Sequence, residues 1–574
     1  VSGSVILFDE NFNLVSNLDS SPGDQTTPAN TQVVVGDLNL ISELIINAGT
    51  ALTSDEIVVT ESSSLVIDGP GSALNLIGDG NRLDVWGNAN TIQVLNGGLI
   101  DASFGDPANG FFFLGNFPGS EVDITIDGAG STKQSTRGVF FSQGHTEFGV
   151  SGADYTANDN ITSGGQLIAP RVVVSGGFST TANGPPAVVP GQLTIATVNL
   201  SGAGSLIQTN SLDVGTGLQS EGTLNVDAGA SVDISGEDGF LGVGRSFTLG
   251  SESSSGELHI RGGAQVNVAG TTGFSRVVAG QAYGKGVITV DGAGSALRMQ
   301  GSSVSLLSIG VSAVDGSTAD GLLQVTNGGL VEVFSTSGGQ ILNVGVGEAA
   351  RGEVIVAAGG TIRVGGVVGI GVEINEGDVP LDATVTVLDT GLLEADQVFV
   401  GTGSASAPEF GRDYGTLRGT GTVRVSSDVF LNRTGVIAPG DGPCEGGSNG
   451  PATVGTLRID GNLVTETGGV LEIDALESGT GDLLSITGTA TLNGGDVQTL
   501  SPDGEWSVAR QYTILSAGGG VEGTFESVPS NLAYLVPTLE YTPNTVLLNL
   551  SRLGAPVQDD VLEESNSQEI SITS

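Results

Sequence analysis

One phrase constrains this chain more than any other. Gly286–Gly301 reads Gly-Val-Ile-Thr-Val-Asp-Gly-Ala-Gly-Ser-Ala-Leu-Arg-Met-Gln-Gly: alternating apolar and polar residues, a glycine turn, then alternation again. Val287, Ile288 and Val290 are β-branched and suit a pleated, half-buried surface. The Asp291–Ser295 turn combines glycines that take positive φ with side chains that bond their own backbone. Related turns stand at Asp68–Ser72, Asp127–Ser131 and Ser201–Ser205. Strand phrases opening on glycine recur at Gly222, Gly256, Gly286, Gly321 and Gly352, about 30–35 residues apart, a spacing that marks stacked repeats. A second strand follows each (Val232, Val266, Val331, Ile362), and then a third element of apolar residues around glycine, as in Leu241-Gly-Val-Gly244 and Val278-Ala-Gly280. Three short strands and three turns per unit predict one coil of a parallel β-helix. Coils stacked about 4.8 Å apart predict an all-β, single elongated body on the order of 100 Å long.

Composition fits a thin core of small aliphatics. Of 574 residues 94 are Gly, aromatics are 5%, and there are one Met and two Trp, so a core of large side chains is not expected. Acidic residues number 63 against 18 basic, a net charge of -45. That balance argues against nucleic acid, whose binding needs Lys and Arg on phosphates, and against anionic membrane surfaces. It gives a solvated acidic surface, with calcium binding as the alternative reading. Lys133 and Lys285 are the only lysines, and Cys444 is the sole cysteine, which leaves no disulfide framework. No apolar run is long enough to span a bilayer. A start at Val1 without a signal-like run reads as a processed, mature form.

Four segments are expected. Residues 1–63 match the repeat poorly and read as an N-terminal cap, since a terminal unit must cover an open core. Residues 64–411 carry the plain repeat. From 412 to 552 the grammar changes, with Gly415-Thr-Leu-Arg-Gly-Thr-Gly-Thr-Val423, Gly435-Val-Ile-Ala-Pro-Gly440 and Gly455-Thr-Leu-Arg-Ile-Asp-Gly-Asn-Leu463. This segment resembles the C-terminal part of autotransporter (type V secretion) passenger domains, and the upstream copies resemble the repeat shared by type V secreted and PEP-CTERM proteins. The resemblance implies a right-handed parallel β-helix, export to the bacterial surface, and a C-terminal segment that assists folding. The family continues after Leu550 into barrel strands, whereas this sequence carries an acidic tail (553–574); the expectation is that a barrel was removed or that the protein reaches the surface by another route.

Candidate chemistry is sparse. Gly446-Gly-Ser-Asn-Gly450 has the outline of a nucleophile elbow, but no helical periodicity accompanies it and His145 and His259 are the only histidines. Loops at Gly105–Pro118, Asp154–Gly165, Gly184–Gly191 and Glu373–Asp382 interrupt the repeat, where specificity usually resides. Phe111-Phe-Phe113 and Phe140-Phe141 read as core or loop anchors. Carboxylate groups such as Glu237-Asp238 and Asp378 with Asp382 are the raw material of a polysaccharide lyase or hydrolase, yet most acids sit in turns where Asp caps backbone. No nonapeptide calcium repeat and no zinc spacing is present. Cys444 reads as a spectator, or as a thiol joining two chains. In the tail, Glu569, Ile570, Ser571, Ile572 and Thr573 alternate like a strand, and a solenoid's open ends invite strand addition. The expectation is a secreted or surface rod without catalytic residues or cofactors. It serves adhesion, matrix building or head-to-tail assembly with itself, and surface glycans or proteins are its other partners. A carbohydrate-active β-helix enzyme is the alternative, marked by three or more carboxylates and a basic residue converging in a groove.

Overall fold

A computed structural model describes residues 5–9, 14–17, 25–26, 31–35, 43–60, 62–77, 82–87, 89–103, 111–114, 121–136, 138–144, 155–177, 193–217, 219–246, 254–312, 318–347, 349–372, 382–401, 415–440, 454–501, 509–531 and 534–553. Every element among them is a β-strand, and the strands wind into a parallel β-helix. Its first face is a sheet of 16 strands stacked from Glu43–Asn47 to Asp496–Leu500. At the usual strand spacing that face is about 70 Å long. The longer expectation treated the whole chain as coils, whereas this ladder occupies only residues 43–500. The second face runs through Ser231–Gly236, Gln265–Gly270, Ala296–Gly301 and Leu330–Ser335, each paired in parallel with the next. The third runs through Gly239–Arg245, Phe274–Gln281, Val304–Val311 and Gln340–Val346 in the same way.

Alternation decides which side chains face the lumen. In Gly284–Asp291, Ile288 and Val290 are fully buried, while Lys285 is exposed and Val287 and Thr289 are half-buried. Because register is kept from coil to coil, inward residues form columns: Leu224, Leu258, Ile288, Leu323 and Val354 are successive partners. One continuous apolar core results.

The glycine turns join coils as well as reversing the chain. Gly292 and Gly294 take φ of 92° and 85°, and the buried Ser295 hydroxyl accepts the amide of Gly263 from the preceding coil at 3.0 Å. Ser131 and Ser205 accept the amides of Gly97 and Gly164 in the same manner, both at 3.0 Å. Turn aspartates reach the following coil: Thr162 donates to Asp127 at 2.6 Å and Thr326 to Asp291 at 2.7 Å. This is the backbone and neighbour capping expected of turn carboxylates.

Where the third face meets the first, the core closes to backbone thickness. Gly222, Gly256, Gly286, Gly321 and Gly352 form an inward column on the first face. Gly215, Gly244, Gly280, Gly310 and Gly345 oppose them with φ of 62–70°. A methyl group on Gly286 would lie 2.2 Å from the Gly280 nitrogen, and one on Gly321 would lie 2.2 Å from that of Gly310. Only glycine permits that approach.

Both ends depart from parallel stacking. Val5–Asp9 pairs antiparallel with Leu14–Asn17 and Thr31–Val35. At the other end Thr545–Arg552 pairs antiparallel with Arg510–Ala517 and Leu535–Tyr541. Near the C-terminal end the second and third faces fuse: Thr422–Leu431 pairs through its first half with Leu392–Ala395 and through its second with Gln397–Val400.

Candidate functional site

A groove runs along the outside of the first face. It is lined by residues of seven strands, from Lys285 to Glu472, and has a volume of about 730 Å³. Six strand spacings make it about 30 Å long. Its form follows from the glycine column. An inward-facing residue shows its backbone to the outside, so Gly286, Gly321 and Gly352 supply a floor without side chains. One wall is the row Lys285, Asp320, Arg351 and Asp382, each the register partner of the next. The other is Val287, Leu322, Glu353 and Thr384, and Arg418 and Glu472 line its far end.

The first wall alternates in charge at single-strand spacing. A second row alternates likewise on the second face: Arg298, Glu332, Arg363, Glu394, Arg424 and Asp460. There every neighbouring pair is in contact, from 2.6 Å for Arg363–Glu394 to 3.4 Å for Arg424–Asp460. Arg363 and Arg424 hold the Glu394 carboxyl below the usual carboxylate range against its partial burial. The groove row behaves differently. Lys285, Asp320, Arg351 and Glu353 are exposed, and among the described residues none forms an ion pair or side-chain hydrogen bond. Asp382 accepts only from the neighbouring Thr384, at 3.0 Å. Charges in one row are spent on each other, while Lys285, Asp320 and Arg351 in the other are left to solvent or ligand.

Buried polar groups lie elsewhere. Asp213, 2% exposed, accepts from Arg245 at 2.8 Å and Arg171 at 3.1 Å, and Arg245 also stacks 4.2 Å over Phe240. Asp482 accepts the amides of Gly455 at 2.7 Å and Asp474 at 2.9 Å. Burial, with the charges of Asp474 and Glu472, pushes its carboxyl up to about 8. In the lumen, burial draws the Lys133 amine down to about 7, and burial holds the Asp159 carboxyl well above its ordinary range.

The residues singled out in the sequence are scattered. Glu569, Ile570, Ser571, Ile572 and Thr573 lie outside the described residues, as do Cys444, Gly446–Gly450, His145 and Asp378. His259 faces outward on its strand, 3.2 Å from Glu257. Asp238 accepts the amide of Phe274 at 2.7 Å, a turn-capping role. Phe141 is a core residue. Asp382 alone of these lines the groove. The groove charges were visible in another way, as the residue before each repeat's inward small residue: Lys285-Gly286, Asp320-Gly321, Arg351-Gly352 and Asp382-Ala383. Aligning the copies on that position, rather than searching for motifs, reveals the alternating row. Among the described residues, no group of three His, Cys, Asp or Glu side chains is placed to hold a metal ion, and no helix is long and apolar enough to cross a membrane.

The extracellular serine protease of Serratia marcescens is 28% identical to this chain over 162 residues. The match covers 27% of this chain and 14% of that protein, so the chain spans a small part of the length of the curated relative. No protein-family model matches the sequence. The likeness to an extracellular protein points to secretion, and the parallel coils suit a passenger domain.

Proposed function

We propose that the protein is a binding rod of the autotransporter-passenger type, displayed at the bacterial surface for adhesion or matrix building, with the first-face groove as its ligand site. The observation that carries this reading is the contrast between two charge rows of the same fold, one closed on itself and one, Lys285 to Asp382, unspent along about 15 Å of the groove. Carboxylates and cations alternating at strand spacing present acceptors and donors in turn. That suits a hydroxyl-rich, extended glycan better than a polyanion, which the net charge of -45 repels. Head-to-tail self-association through residues 569–573 belongs to the same reading.

One observation favours a second reading. The groove gathers Asp320, Glu353, Asp382 and Glu472 with Lys285, Arg351 and Arg418, the composition of a carbohydrate-active site. Against it, a general acid is tuned by burial, and Asp320, Glu353 and Asp382 are exposed. The experiment is binding to a panel of immobilised bacterial and host polysaccharides, with Lys285→Glu/Arg351→Glu as the comparison. Binding by the parent and a tenfold or greater loss in the double variant support the groove; equal binding overturns it. Shortening of any polymer during incubation overturns the non-catalytic reading.

A further inference from the structure

On the second face, the residues that follow the inward Val333, Val364, Ala395 and Val425 are Phe334, Gly365, Asp396 and Ser426. They belong to successive paired strands and form an outward column at the rim of that face. Phe334 is 42% exposed. A single exposed ring needs no explanation by itself, but this one borders a cavity of about 330 Å³. The cavity exists because the next residue of the column, Gly365, has no side chain. A methyl group there would lie 3.2 Å from Cδ1 of Phe334, so the ring stands beside the gap. Two strand spacings, about 10 Å, separate Phe334 from Asp396 on the far side. Arg363, Glu394 and Arg424 of the charge ladder make the remaining wall.

That wall is held in place, yet it keeps hydrogen-bonding capacity. Arg363 donates through Nε and Nη1 to Glu394 and Glu332, and Arg424 through Nη1 and Nη2 to Glu394 and Asp460. A guanidinium carries its donors in a rigid fork, and among the described residues Nη2 of Arg363 and Nε of Arg424 have no acceptor. Asp396 accepts the Ser426 hydroxyl through Oδ1 at 2.9 Å, and its Oδ2 accepts nothing among the described residues. Two arginines and two carboxylates cancel, so the cavity presents no net charge to an ion. An uncharged sugar ring has the matching surfaces. One face is a set of C–H groups suited to the negative face of an aromatic ring, and its rim of hydroxyls both donates and accepts. The volume lies near the lower end of the roughly 300–1,000 Å³ usual for small-molecule sites, which suits a mono- or disaccharide.

We propose that this cavity is a second saccharide site, in which a neutral pyranose stacks on Phe334 over Gly365. Its hydroxyls bond Asp396 and the unengaged N–H groups of Arg363 and Arg424. The site lies on a different face from the groove and takes a single sugar unit or a chain end rather than an extended polymer. It shares only the class of ligand with the proposed function, and each stands or falls separately.

Saturation-transfer NMR on the full chain tests the site, with the methyl glycosides of glucose, galactose, mannose and N-acetylglucosamine as probes. At least one glycoside receives magnetisation, most strongly at the C–H groups of one ring face. Phe334→Ala weakens that binding about tenfold or more, Phe334→Trp keeps it, and Gly365→Leu fills the cavity and abolishes it. A side chain at Gly365 meets only the side chains of Gln340 and Phe334, which can move aside, so this variant keeps the fold. Lys285→Glu/Arg351→Glu leaves the signal unchanged. No transfer to any of the glycosides overturns the proposal, as does an undiminished signal in Phe334→Ala or Gly365→Leu. Loss in Phe334→Trp as complete as in Phe334→Ala overturns the stacking. A signal lost in the groove variant but kept in Phe334→Ala overturns this site and leaves the groove reading standing.

Discussion

Gly321→Ala tests the glycine closure on which both the coil and the groove floor depend. The new methyl would lie 2.2 Å from the nitrogen of Gly310, 2.4 Å from the carbonyl oxygen of Ala279 and 2.8 Å from the carbonyl carbon of Ile309. All three are backbone atoms of packed strands, so no flexible side chain can swing aside. Overpacking a tight core costs about 1–3 kcal/mol and occasionally more, and overlap this deep belongs at the upper end. Reduced freedom of the unfolded chain returns only about 0.4–1 kcal/mol. Gly263→Ala is the matched comparison: φ is 81°, but a methyl there meets nothing within 4 Å. Its cost is the left-handed conformation alone, about 1–2 kcal/mol. Because coils unfold in local units, the assay is urea unfolding combined with hydrogen exchange in Val304–Val311 and Ala319–Thr326. Gly321→Ala loses protection there and weakens glycan binding, while Gly263→Ala does neither. Equal losses for the two variants refute the closure.

Asp482 predicts a pH dependence of the opposite sign to an ordinary surface carboxylate. Its folded-state value of about 8 lies above the unfolded one, so the folded chain binds the extra proton and stability falls as pH rises from about 4 to 8, by up to about 5 kcal/mol at 1.36 kcal/mol per unit. Asp482→Asn flattens the slope in unfolding measured across that range; an unchanged slope refutes the assignment. Asp213→Ala removes the carboxylate shared by two arginines, Arg245 largely buried and Arg171 about one-third exposed, and costs about 3–5 kcal/mol. Arg171→Ala costs about 1 kcal/mol or less, and thermal unfolding that ranks the two equally is the contrary result. Deleting residues 569–574 abolishes any filaments seen by electron microscopy, and filaments that persist rule out docking by that segment.

Much of the fold was legible because repetition makes a weak local signal cumulative. Alternation over four or five residues is ambiguous alone, but the strands beginning at Gly222, Gly256, Gly286, Gly321 and Gly352 fix both the period and the inward set. The glycine turns were equally plain, since positive φ leaves few residue choices. What their sequence did not disclose is that Ser131, Ser205 and Ser295 bond into the preceding coil, because a contact across 32 to 41 residues depends on coil length. The groove escaped notice for a related reason. Lys285, Asp320, Arg351 and Asp382 are far apart in the chain and belong to no motif, and only parallel register makes them neighbours.

The same register explains why chemistry in this protein is to be sought in rows rather than in loops alone. A substitution at one repeat position places a side chain about 4.8 Å from its equivalents above and below, so a charge is either answered by its neighbours or left available. The row from Arg298 to Asp460 is answered on both sides and acts as an external brace. The row from Lys285 to Asp382 has the same alternation, yet its side chains stand apart over a floor of glycine backbone. Inside the lumen the rule is harsher, because a charge between Ile100 and Leu167 has no solvent to fall back on. Burial therefore acts on Lys133, and on Asp159 in the next coil, towards the uncharged form.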